Sequence, residues 1–158
     1  MRRLKPDDLP KVAYRIPVII DTREQLPWNF NLDVFDVTRA TLRSGDYSLS
    51  GMEDRFVLER KSLGDYVSTV IHNWLRFRGE LNRLSSCDLA AIIVEADVSD
   101  VMERRYESEV NPNSVMGRAH SIYLETGIPT LFWGRRENVV ANVEQMFRLA
   151  WKKWGMFA

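Results

Sequence analysis

At Lys61 the spacing of apolar residues changes period, and that change restricts the chain to folds in which helices pack on a sheet. Upstream, Ile16-Pro17-Val18-Ile19-Ile20 is a short apolar run suited to a buried strand. Val34 to Leu42 alternates polar with apolar and β-branched residues, Tyr47 to Ser50 follows a Ser-Gly turn, and Arg55 to Leu58 returns after Gly51, which predicts an antiparallel meander. Downstream, Leu63, Tyr66, Val67, Val70 and Ile71 recur at helical spacing behind Ser62, an N-cap with Asp65 three residues later. A second helix puts Trp74, Phe77, Leu81 and Leu84 on one face and Arg76, Glu80 and Arg83 on another. Leu89 to Val94 is a continuous apolar run of the kind that a strand covered on both faces requires. Val98 to Tyr106 and Ser114 to Glu125 suit helices, and Pro129 to Trp133 suits a short strand. The last helix, Arg136 to Trp154, carries a broad apolar stripe of Val139, Val143, Met146, Phe147, Ala150, Trp151 and Trp154. The expected architecture is α/β, a central mixed sheet flanked by helices. It forms a single domain over residues 16 to 158 behind a flexible polar leader at 1 to 15.

Composition removes several alternatives. The 158 residues, 45% apolar and 28% charged, are those of a globular domain able to bury a full core. One cysteine, Cys87, and two histidines, His72 and His120, are too few for an internal disulfide or a thiolate zinc site. No apolar run reaches the roughly 20 residues of a membrane helix, and the N-terminus lacks the apolar segment of a signal peptide. A cytoplasmic protein of prokaryotic or phage origin is expected. Net charge is zero, so affinity for a polyanion has to come from local arginines, metal ions or another domain.

The chemistry concentrates between Gly45 and Asp65. Asp46 opens one β segment, while Glu59 and Lys61 close the next. Residues i and i+2 of a strand share a face, so Glu59 and Lys61 emerge together and Arg60 points away. If the two segments pair, Asp46 joins them. Two carboxylates and an ammonium suit phosphodiester hydrolysis: hard oxygen ligands take Mg²⁺ or Mn²⁺, which polarises phosphorus and acidifies bound water. Lys61 would hold that water or neutralise charge as the phosphorane forms. Asp21 and Glu24 follow directly on the first apolar strand, where crevices open in α/β sheets, and are further ligands or orienting groups. The bland alternatives are a turn aspartate and a surface ion pair for the central trio, and a helix cap for Asp65.

The ordered set Asp21-x-Arg23-Glu24, Gly45-Asp46 and Glu59-Arg60-Lys61-x-x-x-Asp65 resembles the nuclease domain of the XPF family of structure-specific endonucleases, including the archaeal Hef nuclease. The likeness covers about Ile16 to Trp154. It implies a restriction-endonuclease-like core that cuts branched, flapped or forked DNA with Mg²⁺ or Mn²⁺. By the same resemblance Asp46 and Glu59 match metal ligands, Lys61 the catalytic lysine, and Asp21, Glu24, Arg60 and Asp65 the remaining motif positions; Asp21 is the candidate third metal ligand from its place at the strand end. Arg23, Arg76, Arg78 and Arg83 are the candidate DNA contacts. The family likeness also implies a homodimer, which the stripe of the last helix would serve. Many relatives carry a tandem helix-hairpin-helix module; the sequence reaches Ala158 without one, so a standalone form or a partner protein supplying DNA binding is expected. The alternative is a non-catalytic subunit that binds DNA or a partner nuclease.

Overall fold

The computed structural model describes residues 14 to 155. Apart from Tyr14 and Arg15, the expected leader therefore lies outside the described residues. Six strands form one sheet: β1 (Ile16–Asp21), β2 (Phe35–Ala40), β3 (Tyr47–Leu49), β4 (Phe56–Lys61), β5 (Leu89–Val94) and β6 (Thr130–Phe132). Their spatial order is β2-β1-β3-β4-β5-β6. Only β3 runs antiparallel to its neighbours; every other pairing is parallel. The mixed sheet flanked by helices is thus the expected architecture.

The predicted meander is only half right. β3 and β4 pair as an antiparallel hairpin, but β2 lies on the far edge, parallel to β1. The long segment between β1 and β2, residues 22 to 34, allows that parallel return, since parallel neighbours require a crossover of about a dozen residues. β3 is then inserted between β1 and β4.

Strand parity divides the interior into two cores. Val18, Ile20, Tyr47, Leu49, Phe56, Leu58, Ala91 and Ile93 face the long C-terminal helix α5 (Arg136–Trp154). Val57, Ala90, Ile92 and Val94 face the opposite way, onto α1 (Leu63–Val67), α2 (Trp74–Leu84) and α4 (Pro112–Thr126). Each large side chain fully buried in these layers contributes roughly 1.5–3 kcal/mol relative to exposure. Between α1 and α2 lies a π-helical turn, Ser68–His72, and the helix breaks at Asn73 before resuming. The short α3 (Val98–Met102) stops earlier than the pattern predicts, because the chain turns out through Arg104 at φ 55°.

The stripe on α5 is not a free surface. Val139, Val143, Phe147 and Ala150 are spent on the chain's own sheet. What α5 leaves open is an apolar groove that Phe56, Leu89, Trp133, Met146, Leu149 and Trp154 help to line. Among the described residues no helix is long and apolar enough to cross a membrane.

Candidate active site

The same parity that builds the two cores sorts the functional side chains. On β4, Val57, Glu59 and Lys61 share the α2 face, whereas Phe56, Leu58 and Arg60 share the α5 face. On β1, Asp21 is in step with Ile19, and opposite to Val18 and Ile20 of the α5 core. Because β3 is antiparallel, Asp46, just before its first residue, sits beside the last residues of β1 and β4. The backbone records this: Asp21 N donates to Asp46 O at 2.8 Å, and Asp46 N donates to Leu58 O at 2.9 Å. The Asp46 side chain then accepts from Arg60 N at 2.8 Å, so its backbone and carboxylate straddle Glu59. Lys61 Nζ lies 3.2 Å from Glu59 Oε1 and 5.6 Å from the centroid of the Phe77 ring on α2. Gly45 enables this approach. Its φ of 75° disfavours other residues, and a Cβ there would stand 2.1 Å from Val57 Cγ1.

Beside Asp46 and Glu59 a pocket of about 150 Å³ opens, floored by carboxylates and rimmed by Arg23, Arg43 and Arg83. A second pocket adjoins it on the other side of Glu80, lined by Lys61, Thr69, Asn73, Arg76 and Phe77. The two share Glu80 of α2 and make one trough that carries Asp21, Asp46, Glu59, Lys61 and the guanidiniums of Arg23, Arg43, Arg76 and Arg83.

Burial pushes the Asp46 carboxyl up to about 6, with the charge of Glu24 acting in the same direction against the Arg60 N–H. Burial also raises Glu59, to about 8, and repulsion from Asp46 adds to it while Lys61 opposes. Two buried carboxylates that repel one another are a pair short of positive charge. They offer hard oxygen donors to an open pocket, and Mg²⁺ characteristically binds through one or two carboxylates plus water and substrate phosphate. The donor set fits a divalent ion of the Mg²⁺ or Mn²⁺ type. Among the described residues no three His, Cys, Asp or Glu side chains converge to hold one ion.

The expected third ligand, Asp21, is occupied. Its carboxylate takes Arg23 N at 3.0 Å, Arg23 Nε at 2.8 Å, Arg23 Nη2 at 3.1 Å and Leu42 N at 2.8 Å. Four donors fill its lone pairs. Burial works to raise its pKa, but the bonds from Arg23 and the Leu42 N–H outweigh burial and hold it below the ordinary value. The i, i+2 spacing at a strand end makes this self-closure possible. Glu24 and Arg60 are together, but on the α5 side: Arg60 Nε reaches Glu24 Oε2 at 2.9 Å and Arg60 Nη1 reaches Glu95 Oε1 at 2.7 Å. Arg60 is therefore held between two acids and does not line the pocket beside Asp46. Asp65 is exposed in the first turn of α1, its N–H capped by Ser62 Oγ at 3.2 Å, and it lines neither pocket. Arg23, Arg76 and Arg83 line the trough; Arg78 is exposed outside it.

Sequence reading missed Arg43, Glu95 and Arg136. Arg43 lies in the loop between β2 and β3, where no periodicity marks it. Glu95 had the same signal as Asp21, an acid directly after a buried apolar run.

Three comparisons relate the chain to known proteins. Residues 20–143 match the family model of the ERCC4 domain. Over 138 residues the chain is 29% identical to the putative ATP-dependent RNA helicase MJ1505 of Methanocaldococcus jannaschii, covering 87% of this chain but 16% of that protein. The structure of XPF from Aeropyrum pernix superposes with a TM-score of 0.68 at 24% identity, covering 85% of this chain and 61% of that one. The same protein in complex with DNA gives 0.69 at 23% identity, covering 88% and 66%. The fold is that seen in XPF from Aeropyrum pernix, a restriction-endonuclease-like α/β fold. With the family model spanning most of its length, the chain belongs to the ERCC4 domain family.

Proposed function

We propose that the chain is a divalent-metal-dependent endonuclease acting on branched DNA such as flaps and forks. The observation that supports this most directly is the convergence of Asp46, Glu59 and Lys61 on one sheet face beside an arginine-rimmed pocket. Family membership and the DNA-bound state of a structural neighbour point the same way. Asp46 and Glu59 would hold the ion, which, when bound, polarises a phosphodiester and acidifies a water. Lys61 Nζ has three N–H donors and gives one direction to Glu59, leaving the others for the attacking water or a phosphoryl oxygen. Phe77 and Glu59 limit the rotation of the lysine. Arg23, Arg43 and Arg83 hold the phosphates that flank the cut, and Arg76 extends the track past Lys61. A zero net charge makes this local rim the source of affinity. Pairing of two copies over the open groove on α5 belongs to the same proposal.

The test is a panel of flap, fork, duplex and single-stranded DNA incubated with purified protein and Mg²⁺ or Mn²⁺. Cutting near the branch point that stops with a chelator is the expected result, and metal-independent cutting defeats the reading. Junction binding without cleavage in either ion assigns the chain instead a non-catalytic role on DNA.

Arg43→Gln and Arg83→Gln are expected to raise KM several-fold with kcat little altered. Each should reduce the slope of log K against log salt by about one phosphate contact, measured by fluorescence anisotropy over a salt series. Unchanged slopes would place the DNA elsewhere on the surface.

A further inference from the structure

On the α5 side of the sheet, directly behind the carboxylates, one acid collects three donors from three parts of the chain. Glu95 Oε1 accepts from Arg60 Nη1 of β4 at 2.7 Å and from Trp28 Nε1 of the β1–β2 segment at 3.2 Å. Arg136 Nη1, at the first residue of α5, completes the set at 3.2 Å. Arg136 also uses Nη2 to bind the Leu26 and Pro27 carbonyls at 2.7 and 2.6 Å. Arg60 is held from its other side by Glu24, through Nε at 2.9 Å and Nη2 at 3.2 Å. The side chains of Arg60 and Glu95 are 10% and 12% exposed, so the network is largely closed to water. Two acids and two guanidiniums balance, and the cluster neutralises itself without cancelling the charge of the carboxylates across the sheet.

The network meets residues of the other face through the backbone: Glu95 N donates to Lys61 O at 2.9 Å, and Glu24 N donates to Asp21 O at 3.1 Å. The backbone N–H of Arg60 donates to Asp46 Oδ2. An arginine clamped by two acids cannot let its strand shift or twist, and the aim of the Asp46 carboxylate follows from that N–H. We propose that Glu95 is a positioning residue: by fixing Arg60 it holds Asp46 in the orientation that receives a divalent ion. The inference rests on the reading of Asp46 as an ion ligand. Loss of the Glu95 charge leaves no lone ion in the core, because Arg60 keeps Glu24 and Arg136 is 35% exposed. The fold is thus expected to survive a change that disturbs the aim of Asp46.

The experiment uses Glu95→Gln in the full chain, with three measurements: Mn²⁺ binding by calorimetry without DNA, cleavage kinetics on a fork, and thermal unfolding. Mn²⁺ affinity and kcat are each expected to fall about tenfold, the usual scale for losing a group that orients a metal ligand, with KM for DNA unchanged. The same substitution made in an R60Q background is expected to add less than about twofold, since Glu95 acts through Arg60. Wild-type Mn²⁺ affinity and kcat in Glu95→Gln overturn the proposal. So does a full second loss on top of R60Q, which assigns Glu95 to general maintenance of the fold. If Glu95→Gln does not unfold cooperatively, Arg136→Met loosens the same acid from its exposed side. A smaller loss of Mn²⁺ affinity supports the proposal there, and an unchanged affinity overturns it. A wild-type protein that binds Mn²⁺ but cuts no DNA defeats the nuclease reading alone, and the calorimetric comparison still decides the role of Glu95. A wild-type protein that binds no Mn²⁺ defeats both.

Discussion

Asp46→Ala is expected to lower kcat for fork cleavage by about 10³-fold or more, on the order of 4 kcal/mol of transition-state stabilisation. The size follows from Asp46 being one of the two carboxylates proposed to hold the ion; Glu80 of α2 lines the same pocket, but no three acids among the described residues converge on one point. Asp21 is filled by four donors, and Glu24 is turned to the α5 face by Arg60. Neither of these two replaces the carboxylate removed. KM for DNA should stay within about twofold, because the arginines of the rim lie on other elements and carry the phosphate contacts. The fold should be retained, since the lost side chain accepts one N–H and otherwise adds negative charge to a place already short of cations. Lys61→Ala is the graded comparison: it removes a charge and a donor but no ligand, and a loss of about 10²-fold is expected. Single-turnover assays at saturating Mn²⁺ measure both. Cleavage by Asp46→Ala at the wild-type rate would remove the chemical basis of the proposed function.

What could be read before the structure was known divides along physical lines. Alternation within β4 is a local property, so Glu59 and Lys61 facing one way and Arg60 the other followed from spacing alone. The pairing of strands is not local. Nothing within Phe35–Ala40 indicates that it passes over the sheet to lie parallel with β1, while Tyr47–Leu49 enters between β1 and β4. That insertion is what brings Asp46 to the end of β4, and the residues alone offered it only as a possibility. The partners of Arg60 illustrate the same limit. Glu24 and Glu95 lie 36 and 35 residues away along the chain, beyond any periodic signal. Asp21 shows a different limit. Its oxygens are taken by Arg23 and Leu42, and competition for lone pairs cannot be counted from a string of letters.

The acidic pair also makes the ion-free protein unusual in its response to pH. Most paired carboxylates are held below their ordinary pKa by partners and add stability as pH rises; Asp21 and Glu24 are of this kind. Glu59 is the reverse, raised by burial and then by Asp46 from an ordinary value of 4.5 to about 8. An acid with a folded pKa above its unfolded one binds more protons when folded. Its favourable contribution is complete below about pH 4 and declines as pH rises through the folded pKa values of about 6 and 8, where burial of the charge must be met. Glu59→Gln keeps the shape and removes the charge. At pH 8, without divalent ions, it is expected to unfold at a higher temperature than wild type. The gain should grow as pH rises from about 5 to 8, because burial and Asp46 both oppose the charge that the substitution removes. Near pH 5 the difference should shrink toward zero. Mn²⁺ should close it from the other side, because an ion that binds the folded state alone stabilises wild type at pH 8 and has little effect on Glu59→Gln. Thermal unfolding across pH with chelator or with Mn²⁺ measures this directly. A Glu59→Gln variant that is less stable than wild type at pH 8 in chelator would show that Glu59 is a satisfied structural ion paired with Lys61 rather than a carboxylate whose charge is opposed by burial and by Asp46.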